Sequence, residues 1–185
     1  MKLPKGSFVT YEEYLEIKKD SEQLLEFIDN AIYMSPSPST KHQRISMKLS
    51  AQLFNLLNGT KCEAIAAPYD IILADEENDH KVVIPDLSII CDPLGFEEQR
   101  YVGIPELIIE IVSPSNQAHD LVFKLNLYQK YKVKEYWIIN PLQNYVMVYS
   151  LNQDNQYESL AFEKTGTITS KIIPMFTLNV DEIFK

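Results

Sequence analysis

Apolar and polar positions alternate along this chain with two periods, and each period predicts its own elements. Thr10, followed three residues later by Glu13, gives a capping-box pattern and predicts a first helix through "YEEYLEIKKD". "LLEFIDNAIYMS" alternates around Asp29 and Asn30, a pair that tolerates positive φ, and reads as a β-hairpin. Beyond the stiff loop "SPSPST", Ile45, Leu49, Leu53 and Leu56 fall at helical spacing. They predict a helix from about Thr40 to Asn58, with Gly59 as its stop. Strands are predicted over Ala64 to Leu73, Val82 to Ile90 and Glu106 to Val112, separated by the acidic loop "ADEENDH" and by "CDPLGFEEQR". A second long helix covers Ala118 to Tyr131, and "EYWIIN", "NYVMVYSL" and "QYESLAF" are the remaining strands.

With 185 residues, 45% of them apolar, the chain suits one domain with a two-sided core, spanning 1–185, and is short for two domains of ordinary size. There is no internal repeat. No apolar run approaches the roughly 20 residues that span a bilayer, so no membrane association is expected. "MKLPKGSFVTYEEYL" does not resemble a signal peptide, and Cys62 and Cys91 lack metal-type spacing, which together predict a cytoplasmic protein with reduced thiols. The net charge of −9 argues against broad adhesion to nucleic acid, because phosphate binding is driven by Lys and Arg. Any such role falls to local patches. Lys41, His42, Arg44 and Lys48 form one candidate, and Lys124, Lys130, Lys132 and Lys134 another; the alternative is that both are ordinary solvated faces.

The chemistry lies where carboxylates intrude on apolar strands. An unpaired buried carboxylate costs several kcal/mol at least, so it has a cation or donors waiting for it, or sits at a wet strand end. In "PELIIEIVSPS", Glu110 shares a strand face with Ile108 and Val112, while Leu107, Ile109 and Ile111 take the other. In "VVIPDLSII", Asp86 follows Pro85, which cannot donate to a sheet ladder and so predicts a bulge or an edge. Glu26 in "LLEFI" is a third case. Three such residues on neighbouring strands could converge on a hard cation such as Mg²⁺; alternatively, each pairs separately with a Lys, an Arg or a backbone donor.

The second long helix supplies the other half. At about 100° per residue, Asp120, Leu121, Lys124, Leu127, Tyr128 and Tyr131 fall on one apolar arc, which aims Lys124 inward. An ion pair from Asp120 to Lys124 would account for that pairing but not for its position. His42 extends the Ile45 and Leu49 stripe by one turn, and reads either as a site residue or as a wet first-turn residue.

Taken in order, "IPDLSII", "PELIIEIVSPSN", the spaced Asp120 and Lys124, and "YWIINP" resemble the Uma family of endonucleases, a branch of the PD-(D/E)XK nuclease superfamily. The resemblance runs from "TYEEYL" through "EFIDNAIYMSPSPSTKH" to the closing "FTLNVDEIF". It implies an α/β (α+β) chain with the restriction-endonuclease-like fold, a central mixed sheet flanked by helices. It also implies that Asp86 supplies the "PD" carboxylate, Glu110 the second acidic ligand and Ile111 a backbone carbonyl. In the superfamily motif a lysine stands two residues after the second acid; here that place is Val112, and Lys124 matches the family's lysine from the following helix. Glu26 and His42 match further polar positions near the site. Asn30 and Lys132 depart from the family, each standing where it has Gly in a turn.

The resulting expectation is a Mg²⁺- or Mn²⁺-dependent phosphodiesterase acting on DNA, with Asp86 and Glu110 on the metal and Lys124 beside the attacking water or the phosphate. A catalytically silent nuclease-fold module for nucleic-acid binding or assembly is the alternative, and hydrolysis of a small phosphoester a third. The aromatic surface of "EYWIIN" and "NYVMVYSL" also suggests a homodimer, unless these strands are merely core.

Overall fold

Thr10 caps the first helix as its sequence predicts: its side chain accepts from the Glu13 amide, and the Glu13 carboxylate accepts from the Thr10 amide at 2.8 Å. The computed structural model describes residues 8–35, 37–73, 80–113 and 119–185, apart from the side chains of residues 119–121. In chain order the helices are α1 (Tyr11–Lys19), α2 (Thr40–Leu57), α3 (Leu125–Lys130), which continues a π-helical turn at His119–Lys124, and α4 (Val180–Ile183). The strands are β1 (Leu25–Ile28), β2 (Ala31–Met34), β3 (Glu63–Ala66), β4 (Asp70–Leu73), β5 (Lys81–Val83), β6 (Leu87–Ile90) and β7 (Arg100–Val102). They continue as β8 (Leu107–Ile111), β9 (Glu135–Asn140), β10 (Tyr145–Leu151), β11 (Tyr157–Glu163), β12 (Thr167–Thr169) and β13 (Thr177–Asn179).

A six-stranded sheet, ordered β11-β10-β9-β8-β6-β3, is mixed: β8 and β9 run parallel and its other pairs antiparallel. One face packs on Ile45, Leu49, Leu53 and Leu57 of α2 and on the C-terminal segment that contains β12, β13 and α4. Leu57, rather than the half-buried Leu56, closes the α2 stripe. The opposite face, with Ile108, Val112, Tyr136 and Ile138, packs on α3 and on a second sheet ordered β2-β1-β5-β4-β7. Tyr14 of α1 covers the outer face of that second sheet. This is a mixed α+β architecture with a central mixed sheet flanked by helices, as the motifs imply.

Two of the expected strands are each two strands. The segment read as Ala64 to Leu73 breaks at the cis peptide between Ala67 and Pro68, and its halves join different sheets. The segment read as Val82 to Ile90 breaks around Pro85, so that β5 lies in one sheet and β6 in the other. The bulge or edge expected at Pro85 is thus a crossing between sheets. β7 lies partly within the stretch read as loop, and the acidic loop lies largely outside the described residues. The two turns that lack the family's Gly adopt the conformation Gly would take: φ is +60° at Asn30 and +60° at Lys132.

The expectation of reduced thiols is corrected: Cys62 and Cys91 form a disulfide. Register explains it, since Glu63 pairs with Ile90 and the adjoining cysteines then meet across the ends of β3 and β6. With this goes the thiol argument for a cytoplasmic location. Among the described residues no helix is long and apolar enough to cross a membrane. Tyr136 and Trp137 of β9 are both 0% exposed, and Met147 and Tyr149 of β10 are half-buried, so most of the aromatic surface that suggested a homodimer is core.

Candidate active site

Three segments bring carboxylates to one cavity of about 240 Å³, whose lining includes Glu26, His42, Asp86, Glu110, Ile111 and Lys124. Glu110 is the fourth of the five residues of the otherwise apolar β8 and lies on the face shared with Ile108 and Val112, the face that meets α3. Its Oε1 accepts from Lys124 Nζ at 2.8 Å and from the Tyr128 hydroxyl at 2.9 Å. Glu26 reaches the same ammonium from β1: its Oε1 accepts from Lys124 Nζ at 2.9 Å and from the Ile84 amide at 2.8 Å. Lys124 therefore bridges two carboxylates, and all three groups are buried. Burying these charges is tolerable only because each is paired and hydrogen-bonded.

Asp86 stands where the chain crosses between the sheets, just ahead of β6. Its Oδ2 accepts from the Ile111 amide at 2.7 Å, which ties it to the residue after Glu110. His42 Nε2 stands 3.1 Å from Asp86 Oδ1. His42 is held there by the start of α2, where the Ser39 side chain caps the helix and accepts from the His42 amide at 3.2 Å.

All five side chains singled out from sequence, Glu26, His42, Asp86, Glu110 and Lys124, thus line one cavity, together with Ile111. The helical arc is also correct where its side chains are described: Lys124, Leu127, Tyr128 and Tyr131 are buried, while Val122 is exposed. The side chain of Asp120 lies outside the described residues; among the described residues, Glu26 and Glu110 place carboxylates on Lys124. Sequence reasoning missed the Tyr128 contact with Glu110; a tyrosine on an apolar arc reads as core, which it also is.

The basic patches divide differently. Lys41 donates to Asn144 Oδ1 at 2.7 Å and Lys48 to the Glu182 carbonyl at 2.9 Å, so both tie α2 to the C-terminal half of the chain. Lys124 belongs to the cavity, and Lys134 stands 3.6 Å from Glu106.

The donor set can be tested against a divalent ion. Among the described residues no three His, Cys, Asp or Glu side chains form a group that could hold a metal, and Glu26 is engaged with the lysine and the Ile84 amide. Asp86, Glu110 and the Ile111 carbonyl remain as hard oxygen donors. That set fits Mg²⁺, which takes one or two carboxylates and keeps several waters. The side chains are weighted toward negative charge, with three carboxylates against one ammonium, and favour a cation over an unaccompanied anion.

Known proteins are similar to this chain in fold and in sequence. A crystal structure of a putative nuclease belonging to DUF820 from Anabaena variabilis superposes with a TM-score of 0.77, covering 95% of this chain and 97% of that one at 21% identity, a likeness of fold. Two uncharacterised Synechocystis proteins are similar in sequence. One, slr1290, is 27% identical over 175 residues, 94% of this chain and 90% of the relative; the other, sll1609, is 25% identical over 152 residues, 80% and 84%. The family model Uma2, described as "Putative restriction endonuclease", matches residues 11–181, and the chain belongs to that family.

Proposed function

We propose that this protein is a Mg²⁺- or Mn²⁺-dependent endonuclease that hydrolyses DNA phosphodiester bonds in the cavity between β1, β8 and α2. The observation that carries the reading is the lysine. Lys124 comes from the helix after β8, yet its ammonium sits on the Glu110 carboxylate, while Val112 occupies the place of the superfamily's strand lysine. Family membership supports nuclease chemistry.

In this reading Asp86, Glu110 and the Ile111 carbonyl would hold the ion, which when bound polarises the scissile phosphate and acidifies an attacking water. The Ile111 amide fixes Asp86 through Oδ2, and His42 faces its other oxygen. Glu26 holds the Lys124 ammonium at the cavity wall, ready to meet the negative charge that develops on the phosphate oxygens as water adds to phosphorus. The water loses its proton to solvent or to a neighbouring base. The bond to the leaving sugar oxygen breaks and that oxygen takes a proton from solvent, giving one phosphomonoester end and one hydroxyl end.

A silent nuclease-fold module is the second reading. It is favoured by the net charge of −9 and by the engagement of Lys41 and Lys48 with oxygens of the chain itself, which takes two cations of the α2 patch away from a DNA backbone. Plasmid nicking separates the two. Purified protein with Mg²⁺ or Mn²⁺ is expected to nick supercoiled DNA, and Glu110→Ala to abolish nicking; a metal-loaded parent that leaves single-stranded, duplex and branched DNA intact sinks the enzyme.

A further inference from the structure

We propose that Tyr128 is a positioning residue, holding the Glu110 carboxylate in place for the metal; the inference rests on the metal-dependent reading above. Tyr128 is 0% exposed and lies in α3, one turn beyond Lys124. Its ring packs edge-on against Tyr136 with centroids 4.9 Å apart, among Ile108, Val112 and Ile138. A buried phenol needs a hydrogen-bond partner. At Tyr14 and Tyr157 the partner is backbone: Tyr14 donates to the Leu25 carbonyl and Tyr157 to that of Val133, each requiring nothing of a side chain. Tyr128 instead donates at 2.9 Å to Oε1 of a carboxylate assigned to the site.

Lys124 and Tyr128, at i and i+4, meet the same oxygen, so one helix face fixes the rotation of the Glu110 carboxylate. The two donors are not redundant. An incoming divalent ion repels the ammonium, and the ammonium has a second carboxylate in Glu26 and a proposed task at the phosphate. The phenol is neutral. It does not compete with the ion, and it continues to orient Glu110 when Lys124 turns toward substrate. Partners of this kind behind a ligating carboxylate set both its orientation and the affinity for metal.

The test is Tyr128→Phe in the full chain, which keeps the ring and its contact with Tyr136 and deletes one hydroxyl. Calorimetric titration with Mn²⁺ is expected to show affinity about 10-fold or more below the parent. Tyr157→Phe, which also deletes a bonded phenol hydroxyl but at the Val133 carbonyl, is expected to bind Mn²⁺ like the parent. The Mn²⁺-induced rise in melting temperature should rank the three proteins identically, even if a variant starts from a lower baseline. Parent-like Mn²⁺ affinity in Tyr128→Phe overturns the inference and leaves Glu110's ligand role standing. Equal weakening in both variants overturns it as general loosening, and a parent that binds no Mn²⁺ overturns the inference and the metal-dependent reading together.

Discussion

Lys124 Nζ lies 2.8 Å from Glu110 Oε1 although the two residues belong to different elements, a helical turn and β8. The same ammonium is 2.9 Å from Glu26 Oε1. Lys124→Met keeps the apolar stem and removes the charge that both buried carboxylates share. Removing one member of a buried ion cluster costs about 3–5 kcal/mol, so the metal-free variant should melt well below the parent. Mn²⁺ should recover part of that loss by again placing a cation beside Glu110. Cleavage, measured at saturating metal, should fall by about 10² or more, and Val112→Lys in the same background should restore part of the rate. A variant that cleaves as fast as the parent would reduce Lys124 to an electrostatic strut.

Asp86 is the second test, and the structure refines the choice of substitution. Its Oδ2 accepts from the Ile111 amide, so Asp86→Ala both removes a proposed ligand and leaves a backbone donor without its acceptor, a penalty of about 1–3 kcal/mol. Asp86→Asn retains an acceptor for that amide. The asparagine variant should keep the parent's melting temperature within a few degrees while calorimetry loses the Mn²⁺ signal. Unchanged Mn²⁺ affinity in it would remove Asp86 from the metal site.

The site was more legible in the sequence than the sheets were. Glu110 and Asp86 announced themselves because a carboxylate in an apolar strand demands a partner, whatever the fold around it. Lys124 was placed by helical phase, and the π-helical turn at His119–Lys124 did not spoil that phase because Lys124, Leu127, Tyr128 and Tyr131 lie at or beyond its end. Pairing between strands is a long-range property. Nothing local shows that Ile71 and Ile65, six residues apart, belong to different sheets, although Pro68 and Pro85 mark both breaks in retrospect. The disulfide was hidden for the same reason: Cys62 and Cys91 are 29 residues apart and meet only through the β3–β6 register.

A turn that departs from the family gives a stability prediction. Lys132 is exposed and has φ of +60°, a region disfavoured for a side chain by about 1–2 kcal/mol. Its amide bonds to the Gln129 carbonyl at 3.0 Å, and the turn leads directly into the buried Val133 and β9. Lys132→Gly relieves the strain but gives the unfolded chain more freedom, so the net gain should be about 0.5–1 kcal/mol. Denaturant unfolding should show a higher midpoint at unchanged slope. A lower midpoint would mean that the lysine side chain contributes more than its backbone strain removes.

Two tyrosines, the buried Tyr14 and the half-buried Tyr157, give a prediction for alkaline pH. Burial, reinforced by Asp70, Tyr11 and Glu26, holds the Tyr14 hydroxyl far above the usual tyrosine value, and burial reinforced by Glu135 does the same at Tyr157. The direction fixes the sign. A phenol raised in the folded state keeps its proton there while the unfolded chain ionises from about pH 10, so the native state binds more protons and stability falls as pH rises above that point. The contribution is fully present below pH ~10 and declines by up to about 1.4 kcal/mol per pH unit for each such tyrosine. Tyr14→Phe should therefore have two opposite effects. At neutral pH it should lose about 1 kcal/mol, because the Leu25 carbonyl loses its donor. Above pH ~10 its stability should fall less steeply than the parent's, by one tyrosine's share of the slope. Comparing parent and variant cancels the lysines, which titrate in the same range in both. Parallel stability curves above pH 10, or tyrosinate absorbance showing Tyr14 ionised in the folded protein, would contradict the assignment.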